Sequence, residues 1–441
     1  ELLPEKRDQG YFMLFENITI IDEELEVRHN MYVGIKNEFI EYIGKERPSE
    51  DYGEAYDGKG KLLMSAFYNA HAHSPMMMMR GYGENLALSD WLNKKIFPFE
   101  DKLYSEAVYY STLLAMAESL RFGIVSSSDM YYFCEDMARA VIESGAKANI
   151  SRSITCFEEG SIIGNERYRE AEELVKNFHG ADDGKILVDA SIHAEYTNTE
   201  QSIRETADFA KEHGINMHVH ISETKSEHEE CKQRHGGRTP VQLMNDLGVF
   251  DTNTTAAHCV WVEDGDMEIL AGKGVTVASC PVSNLKLASG ICNVPKLLSK
   301  GINVAIGTDS VASNNSLNFI EEMKFFALLN KAAHSDPTLI TPKQTIHAAT
   351  YAGALAQGRH DCGRLREGNR ADLIVLDIAA PHMRPVHDIA TNVVYSASGS
   401  DVILTMADGK VLYRDGDFLT IDIEKTIAET EAACKNILSR L

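Results

Sequence analysis

Between residues 62 and 309 the chain repeats one pattern: a short apolar run, then an amphipathic helical stretch. The runs fall at 62–68, 124–129, 148–155, 186–193, 216–222, 254–260, 275–281 and 303–309. Runs this short and this apolar read as strands buried on both faces, as in a parallel sheet covered by helices. The stretches between them carry helix punctuation. Residues 102–122 stop at Gly123 and 199–213 at Gly214, the residue best suited to a left-handed C-terminal cap. In Thr341-Pro342-Lys343-Gln344 the threonine is placed to cap, proline to open the first turn and glutamine to complete a capping box. Eight such units in roughly 300 residues predict an α/β chain built on a (β/α)8 TIM barrel, here residues 68–363. The alternative is an open doubly wound sheet. It calls for a glycine-rich phosphate loop after the first strand, and the sequence has none there.

The flanks differ in texture. Residues 13–67 and 364–419 are rich in β-branched and aromatic residues punctuated by glycine and asparagine, and Asp408-Gly409 is a hairpin signal. Neither piece has enough strands to stand alone, so the expectation is one small β-sandwich domain composed from both, followed by a C-terminal helix at 420–441. The Met76–Met79 run reads as an apolar wall near a pocket.

Composition excludes some functions. The net charge is −23, from 43 basic and 66 acidic residues, which leaves no basic footprint for nucleic acid or an anionic membrane. No run approaches the ~20 apolar residues of a membrane helix. The opening Glu1-Leu-Leu-Pro-Glu-Lys-Arg lacks a signal-peptide core, and Met13 reads as a candidate native start. None of the eight cysteines forms a Cys-x-x-Cys pair, so they are expected as reduced thiols in a cytoplasmic protein.

Chemistry gathers at strand ends, where a barrel of this kind has its active site. Asn69-Ala-His71-Ala-His73 ends the first run; alternation along a strand sends His71 and His73 to one side, a pairing suited to zinc. The fifth run contains His218 and His220, of which His220 is nearer the end and the better ligand, with His218 packed behind it. Glu223 follows, beside the metal but outside its ligand set. His258 ends the sixth run and Asp309 the eighth. Arg152, at the end of the third, faces either a substrate carboxylate or an ion-pair partner.

These stretches, together with Pro281-Val-Ser-Asn284-Leu-Lys-Leu287 and the run from Gly307 to Asn318, resemble the amidohydrolase superfamily, and within it the methylthioadenosine/S-adenosylhomocysteine deaminase family. The resemblance extends from about Phe15 to the C-terminus. It implies one divalent metal, zinc first and Fe2+ or Mn2+ next, held by His71, His73, His220 and Asp309. Such an ion brings a bound water to a pKa of roughly 7, giving the hydroxide that attacks. Two-metal relatives carry a bridging lysine at the end of strand 4; residues 186–193 have none there, so a single ion is expected. The resemblance further implies that Glu223 protonates the ring nitrogen, Asp309 accepts the proton of the water and His258 orients the nucleophile. Glu100 would hold ribose hydroxyls and His193 would touch the nucleoside. The implied reaction is deamination of an adenine nucleoside of the 5′-methylthioadenosine, S-adenosylhomocysteine or adenosine type. The partner is thus a small molecule, with a homo-oligomer left open.

Two departures bear on substrate choice. Ser65-Ala66 stands where many relatives have Pro-Gly, and Glu195, expected near the pocket mouth, stands where many have proline. The rival readings are a deaminase of another aminated heterocycle (guanine, 8-oxoguanine, a pterin) or a triazine chlorohydrolase-like enzyme. More remote are a catalytically dead barrel serving in assembly and a structural zinc protein; a closed structural site has no need of Glu223 and His258.

Overall fold

The computed structural model describes residues 11–441, so the opening segment at 1–7, where no signal peptide is read, lies outside the described residues. Eight parallel strands form the main sheet: β1 (Phe67–Ala72), β2 (Ile124–Tyr131), β3 (Lys147–Ile154), β4 (Ile186–Ile192), β5 (Met217–Ile221), β6 (Thr254–His258), β7 (Thr276–Ser279) and β8 (Val304–Ile306). They hydrogen-bond in chain order. All but one of their residues are buried on β1, β2, β3 and β5 to β8, as two covered faces require. The seam between β8 and β1 is closed by a parallel bridge of Ala72 to Asp309, with the Asp309 N–H donating to the His71 carbonyl at 2.9 Å. Asn69 stitches the same seam, accepting from the Thr308 N–H at 2.9 Å and donating to its hydroxyl at 2.7 Å. Closing the barrel therefore sets two of the expected ligands side by side.

The second sheet is mixed and built from both chain ends. Its order is Asp417–Phe418, Lys410–Arg414, Val402–Ala407, Leu373–Asp377, Lys61–Ser65, Phe12–Ile21, Val27–Lys36 and Phe39–Gly44, with Glu54–Asp57 alongside Phe12–Ile21. The two ends meet where Lys61–Ser65 runs antiparallel to Leu373–Asp377. Phe15, Val33 and Ile35 from one end share an apolar core with Leu373, Val375, Leu404 and Met406 from the other. Asp408 and Gly409 both take left-handed φ, 45° and 75°, in the two-residue hairpin between Val402–Ala407 and Lys410–Arg414. A β-carbon on Gly409 would stand 1.8 Å from the Asn37 carbonyl oxygen, so the turn also needs glycine for space.

One expected strand divides. The run 62–68 is not a single element, because the chain changes sheets at Ala66. The Ala66 N–H donates to the Asp372 carbonyl at 2.9 Å, in the small sheet, and the Phe67 N–H to the Gly123 carbonyl at 2.9 Å, in the barrel. Helix ends follow the punctuation. Ser105–Arg121 stops before Gly123, Glu200–His213 before Gly214, and Thr341 caps Pro342–Ala349 in a capping box. Ile423–Leu438 forms the C-terminal helix. The methionine run makes a buried turn of 3-10 helix, Ser74–Met79, and Met76 reaches the pocket over the barrel mouth. No helix among the described residues is long and apolar enough to cross a membrane.

Candidate metal centre and active site

Three imidazoles and one carboxylate converge at the C-terminal mouth of the barrel. His71 comes from β1 and His73 from the residue just after it, His220 from the end of β5, and Asp309 from just beyond β8. Asp309 Oδ1 lies 3.5 Å from His71 Nε2 and 3.3 Å from His73 Nε2, and the His73 and His220 Nε2 atoms are 3.3 Å apart. Each ring is turned inward by a partner on its other nitrogen. His71 Nδ1 meets His218 Nε2 at 2.9 Å, His73 Nδ1 meets the Met130 carbonyl at 2.6 Å and His220 Nδ1 meets the His193 carbonyl at 2.6 Å. Such outer partners fix the tautomer of a metal-binding histidine. His218 has the place expected of it, packed behind the cluster. The carboxylate is held in the same way: Asp309 Oδ2 accepts from the Ser283 hydroxyl at 2.5 Å and the Ser313 hydroxyl at 3.1 Å.

The donor set fits a divalent ion. His71 Nε2 is buried and has no hydrogen-bond partner, the condition of a ligand atom aimed at a cation. Burial brings His71 down to about 3 and His220 well below its ordinary value, so both stay neutral, the form that ligates. Burial also pulls on His73, but Asp309 beside it outweighs this and lifts the ring to about 9: the cluster calls for a positive charge at its centre. Burial would raise Asp309, yet His71 and His73 hold it well below the usual carboxylate range.

Glu223 and His258 face this cluster from the side. His258 Nε2 is 3.7 Å from Glu223 Oε2, and its Nδ1 meets Asn284 Oδ1 at 2.9 Å. Glu223 Oε1 is 3.4 Å from the Ser289 hydroxyl. Burial raises the Glu223 carboxyl above its ordinary value, which favours a held proton. The backbone of Glu223 is fixed by Glu227, whose carboxylate accepts from the Ser222 N–H at 2.8 Å and the Glu223 N–H at 2.7 Å.

The pocket above is lined by Met76, Leu88, Trp91, Phe97, Tyr131 and Tyr132 together with Glu100 and His193, the last with its ring 4.9 Å from that of His220. Burial lifts Glu100 to about 7 and lowers His193 to about 4. Arg152 is not among the lining residues. Its guanidinium pairs with Glu170, lies over the Tyr132 ring at 4.9 Å, and borders a neighbouring cavity of about 380 Å3 that shares Phe97, Glu100 and Tyr132 with the pocket. Glu195 departs from expectation: it is buried away from the pocket, paired with Arg234, and Tyr196 takes the pocket position instead. Sequence reasoning gave no role to Ser283, Asn284, Ser313 or Glu227. Ser283 and Asn284 lie inside the quoted Pro281–Leu287 stretch, where two adjacent polar residues just after a buried strand were the available signal.

A family model described as the amidohydrolase family matches residues 62–412. A 5-methylthioadenosine/S-adenosylhomocysteine deaminase of Thermoanaerobacter pseudethanolicus is 38% identical over 431 residues, 97% of this chain and 100% of that protein. A 5′-deoxyadenosine deaminase of Methanosarcina acetivorans is 40% identical over 412 residues, 93% of this chain and 94% of that one. Among solved structures, an adenosine deaminase from Xanthomonas campestris with bound zinc superposes with a TM-score of 0.91 at 29% identity, covering 98% of this chain and 99% of that one. The chain belongs to the amidohydrolase family, whose members are metal-dependent hydrolases, and within it to the methylthioadenosine/S-adenosylhomocysteine deaminase group.

Proposed function

We propose that this protein hydrolytically deaminates an adenine nucleoside of the 5′-methylthioadenosine, S-adenosylhomocysteine or adenosine type, releasing ammonia and the inosine analogue. The observation that carries the reading is the convergence of three inward Nε2 atoms and Asp309 Oδ1, with the buried carboxyl of Glu223 nearby against His258. His71, His73, His220 and Asp309 would hold one divalent ion, zinc by preference for this mix of imidazole and carboxylate. When bound, the ion supplies Lewis acidity that brings a water to a pKa of roughly 7.

The chain's own groups then divide the proton work. Asp309 takes a proton from the attacking water. Glu223, raised by burial, delivers one to the ring nitrogen, which makes the adjacent carbon electrophilic. His258, held through Nδ1 by Asn284, presents Nε2 to orient the nucleophile. Glu100 receives the ribose hydroxyls and His193 the nucleoside edge, while Trp91, Tyr131 and Tyr132 exclude water. The wall from Leu88 to Phe97 contains a π-helical turn at Leu92–Ile96, a feature frequent at functional sites. A 5′ group would extend towards the cavity beside Arg152, which would have to exchange Glu170 for any substrate carboxylate.

Glu223→Gln tests the assignment. It keeps the shape of the side chain and removes the transferable proton. Deamination of adenosine and its 5′-thioethers should fall by at least ~10²-fold, the low end for general acid–base catalysis, with metal content unchanged. Loss of the metal, or turnover near that of the unaltered protein, refutes the role. A spectrophotometric panel that includes guanine and pterins decides the substrate class.

A further inference from the structure

We propose that Glu195, Cys231 and His235 form a second metal site, remote from the catalytic ligands, that takes a thiophilic divalent ion such as Zn2+. Their ligand atoms lie within 4.8 Å of one another. Cys231 sits in the last turn of the helix Lys225–Arg234 and His235 is its C-cap, a Cys-x-x-x-His spacing that puts both on one face. Glu195 opens the turn Glu195–Thr197 that follows β4.

Three features mark a built site. First, Glu195 Oε2 is buried without a hydrogen-bond partner while Oε1 is held by Arg234, so one oxygen of a side chain only 1% exposed is anchored and the other faces His235 alone. Second, His235 Nδ1 meets Glu200 Oε1 at 3.0 Å, which turns Nε2 towards Glu195; a carboxylate behind an imidazole is the arrangement that raises its basicity as a ligand. Third, His235 Nε2 and Glu195 Oε2 are 3.5 Å apart. Two ligands of a tetrahedral zinc ion at ~2.0–2.1 Å are separated by about 3.4 Å, and the catalytic cluster shows the same 3.3–3.5 Å edges. Cys231 is buried, its thiol donating to the Arg238 carbonyl at 3.5 Å, and binding would release that proton and give a thiolate ligand. A water supplies the fourth position. Of the neighbouring cations, Arg234 pairs with Glu195 Oε1 and Arg238 shares Glu200 Oε1 with His235, so neither pairs with Glu195 Oε2.

An ion here would staple the helix bearing Glu227, which fixes the Glu223 backbone, to the turn bearing Tyr196 in the pocket wall. Its role is structural, and it stands independently of the reaction proposed above. The catalytic ligand set contains no thiolate, so cobalt distinguishes the two sites. Holoenzyme titrated with Co2+ should develop a thiolate-to-cobalt charge-transfer band in the near ultraviolet that saturates at one added equivalent. Cys231→Ser should abolish the band. His235→Asn, on a partly exposed side chain, should weaken the binding at least tenfold and covers the case in which the serine variant fails to fold. Both variants should retain deaminase activity, and added Zn2+ should raise the melting temperature of the unaltered protein but of neither variant. No band, or a band that survives Cys231→Ser, overturns the site.

Discussion

Replacing Lys147 by methionine should unfasten the barrel from the small sheet. Lys147 begins β3 and is 1% exposed, yet its ammonium lies 2.6 Å from carboxylate oxygens of both Asp372 and Asp408. Asp372 just precedes the strand Leu373–Asp377 and Asp408 lies in the hairpin turn, and Asp372 also accepts from the Tyr68 hydroxyl of β1. Methionine matches the stem but leaves Asp372 buried without its cation, while Asp408 keeps Arg370 at 3.1 Å; breaking the buried Asp372 pair costs ~3–5 kcal/mol. An unfolding entropy of about 2.1 cal/mol/K per residue over 441 residues gives ~0.9 kcal/mol/K, so the melting temperature should fall by roughly 3–5 °C. The pH dependence has a definite sign. Burial would raise Asp372, but Lys147 holds it below its ordinary value. Its contribution is therefore present above the unfolded pKa of ~3.9 and lost as pH falls through the lower folded value. Burial would lower Lys147, but Asp372 and its neighbours raise it. That contribution is present below ~10.4 and lost only as pH rises through the folded value. Calorimetry should show the full gap between unaltered protein and variant from about pH 5 to 9, narrowing in acid as the carboxylates take up protons. A gap under ~1 kcal/mol at pH 7, or one that widens in acid, refutes the argument.

Three further outcomes follow from the same geometry. Asp309→Ala removes the proposed ligand and proton acceptor together, so both catalytic-site metal, measured after desalting, and activity should be lost; retention of either counts against its double role. Gly307→Ala puts a methyl 2.8 Å from the His71 β-carbon and 3.0 Å from its backbone nitrogen. Overpacking of ~1–3 kcal/mol falling on a ligand position should weaken catalytic metal binding by about 10- to 100-fold, read by competition with a chelator. Residues 68–363 alone expose Lys147 without its partners and the apolar underside of the barrel, so this fragment should aggregate; a monodisperse, fully active fragment would show that the chain ends are dispensable.

The barrel was legible because each strand is a short, two-face-buried run and helix stops are written in glycine and threonine. The convergence of His71, His73, His220 and Asp309 was legible because a barrel gathers its strand ends at one mouth, and four histidine or aspartate signals stand there. The change of sheet at Ala66 was not, because residues 62–68 are uniformly apolar and only the partners of the Ala66 and Phe67 amides separate them. Nor was the fate of Glu195: its burial depends on Arg234, which lies 39 residues away in the chain on another element. The residues that aim the ligands share this difficulty. Ser283, Ser313 and Asn284 look like ordinary turn residues until the fold sets them against Asp309 and His258.

The backbone at the strand ends carries part of the function. Ser222, His258, Cys259 and Asp309 all have left-handed φ, between 46° and 75°, at the ends of β5, β6 and β8. None is glycine, and although aspartate and histidine take this conformation more readily than serine or cysteine, each such position costs of order 1–3 kcal/mol. A regular strand sends alternate side chains to opposite faces, so at most every second residue can look into the barrel mouth. A left-handed step breaks the alternation. It lets His258 turn towards Glu223, and lets Asp309 keep its N–H on the His71 carbonyl while Oδ1 meets the histidines. Glycine at these positions would relax the chain and forfeit the side chain the site needs. The strain is held instead by hydrogen bonds on the rigid sheet: the Cys259 N–H to the Ile221 carbonyl at 3.0 Å, the Val260 N–H to the Ser222 carbonyl at 3.1 Å, and the seam from β8 to β1. Stability in the barrel wall and geometry at its mouth are thus one problem, and a change that loosens the wall should appear first as a misaimed ligand.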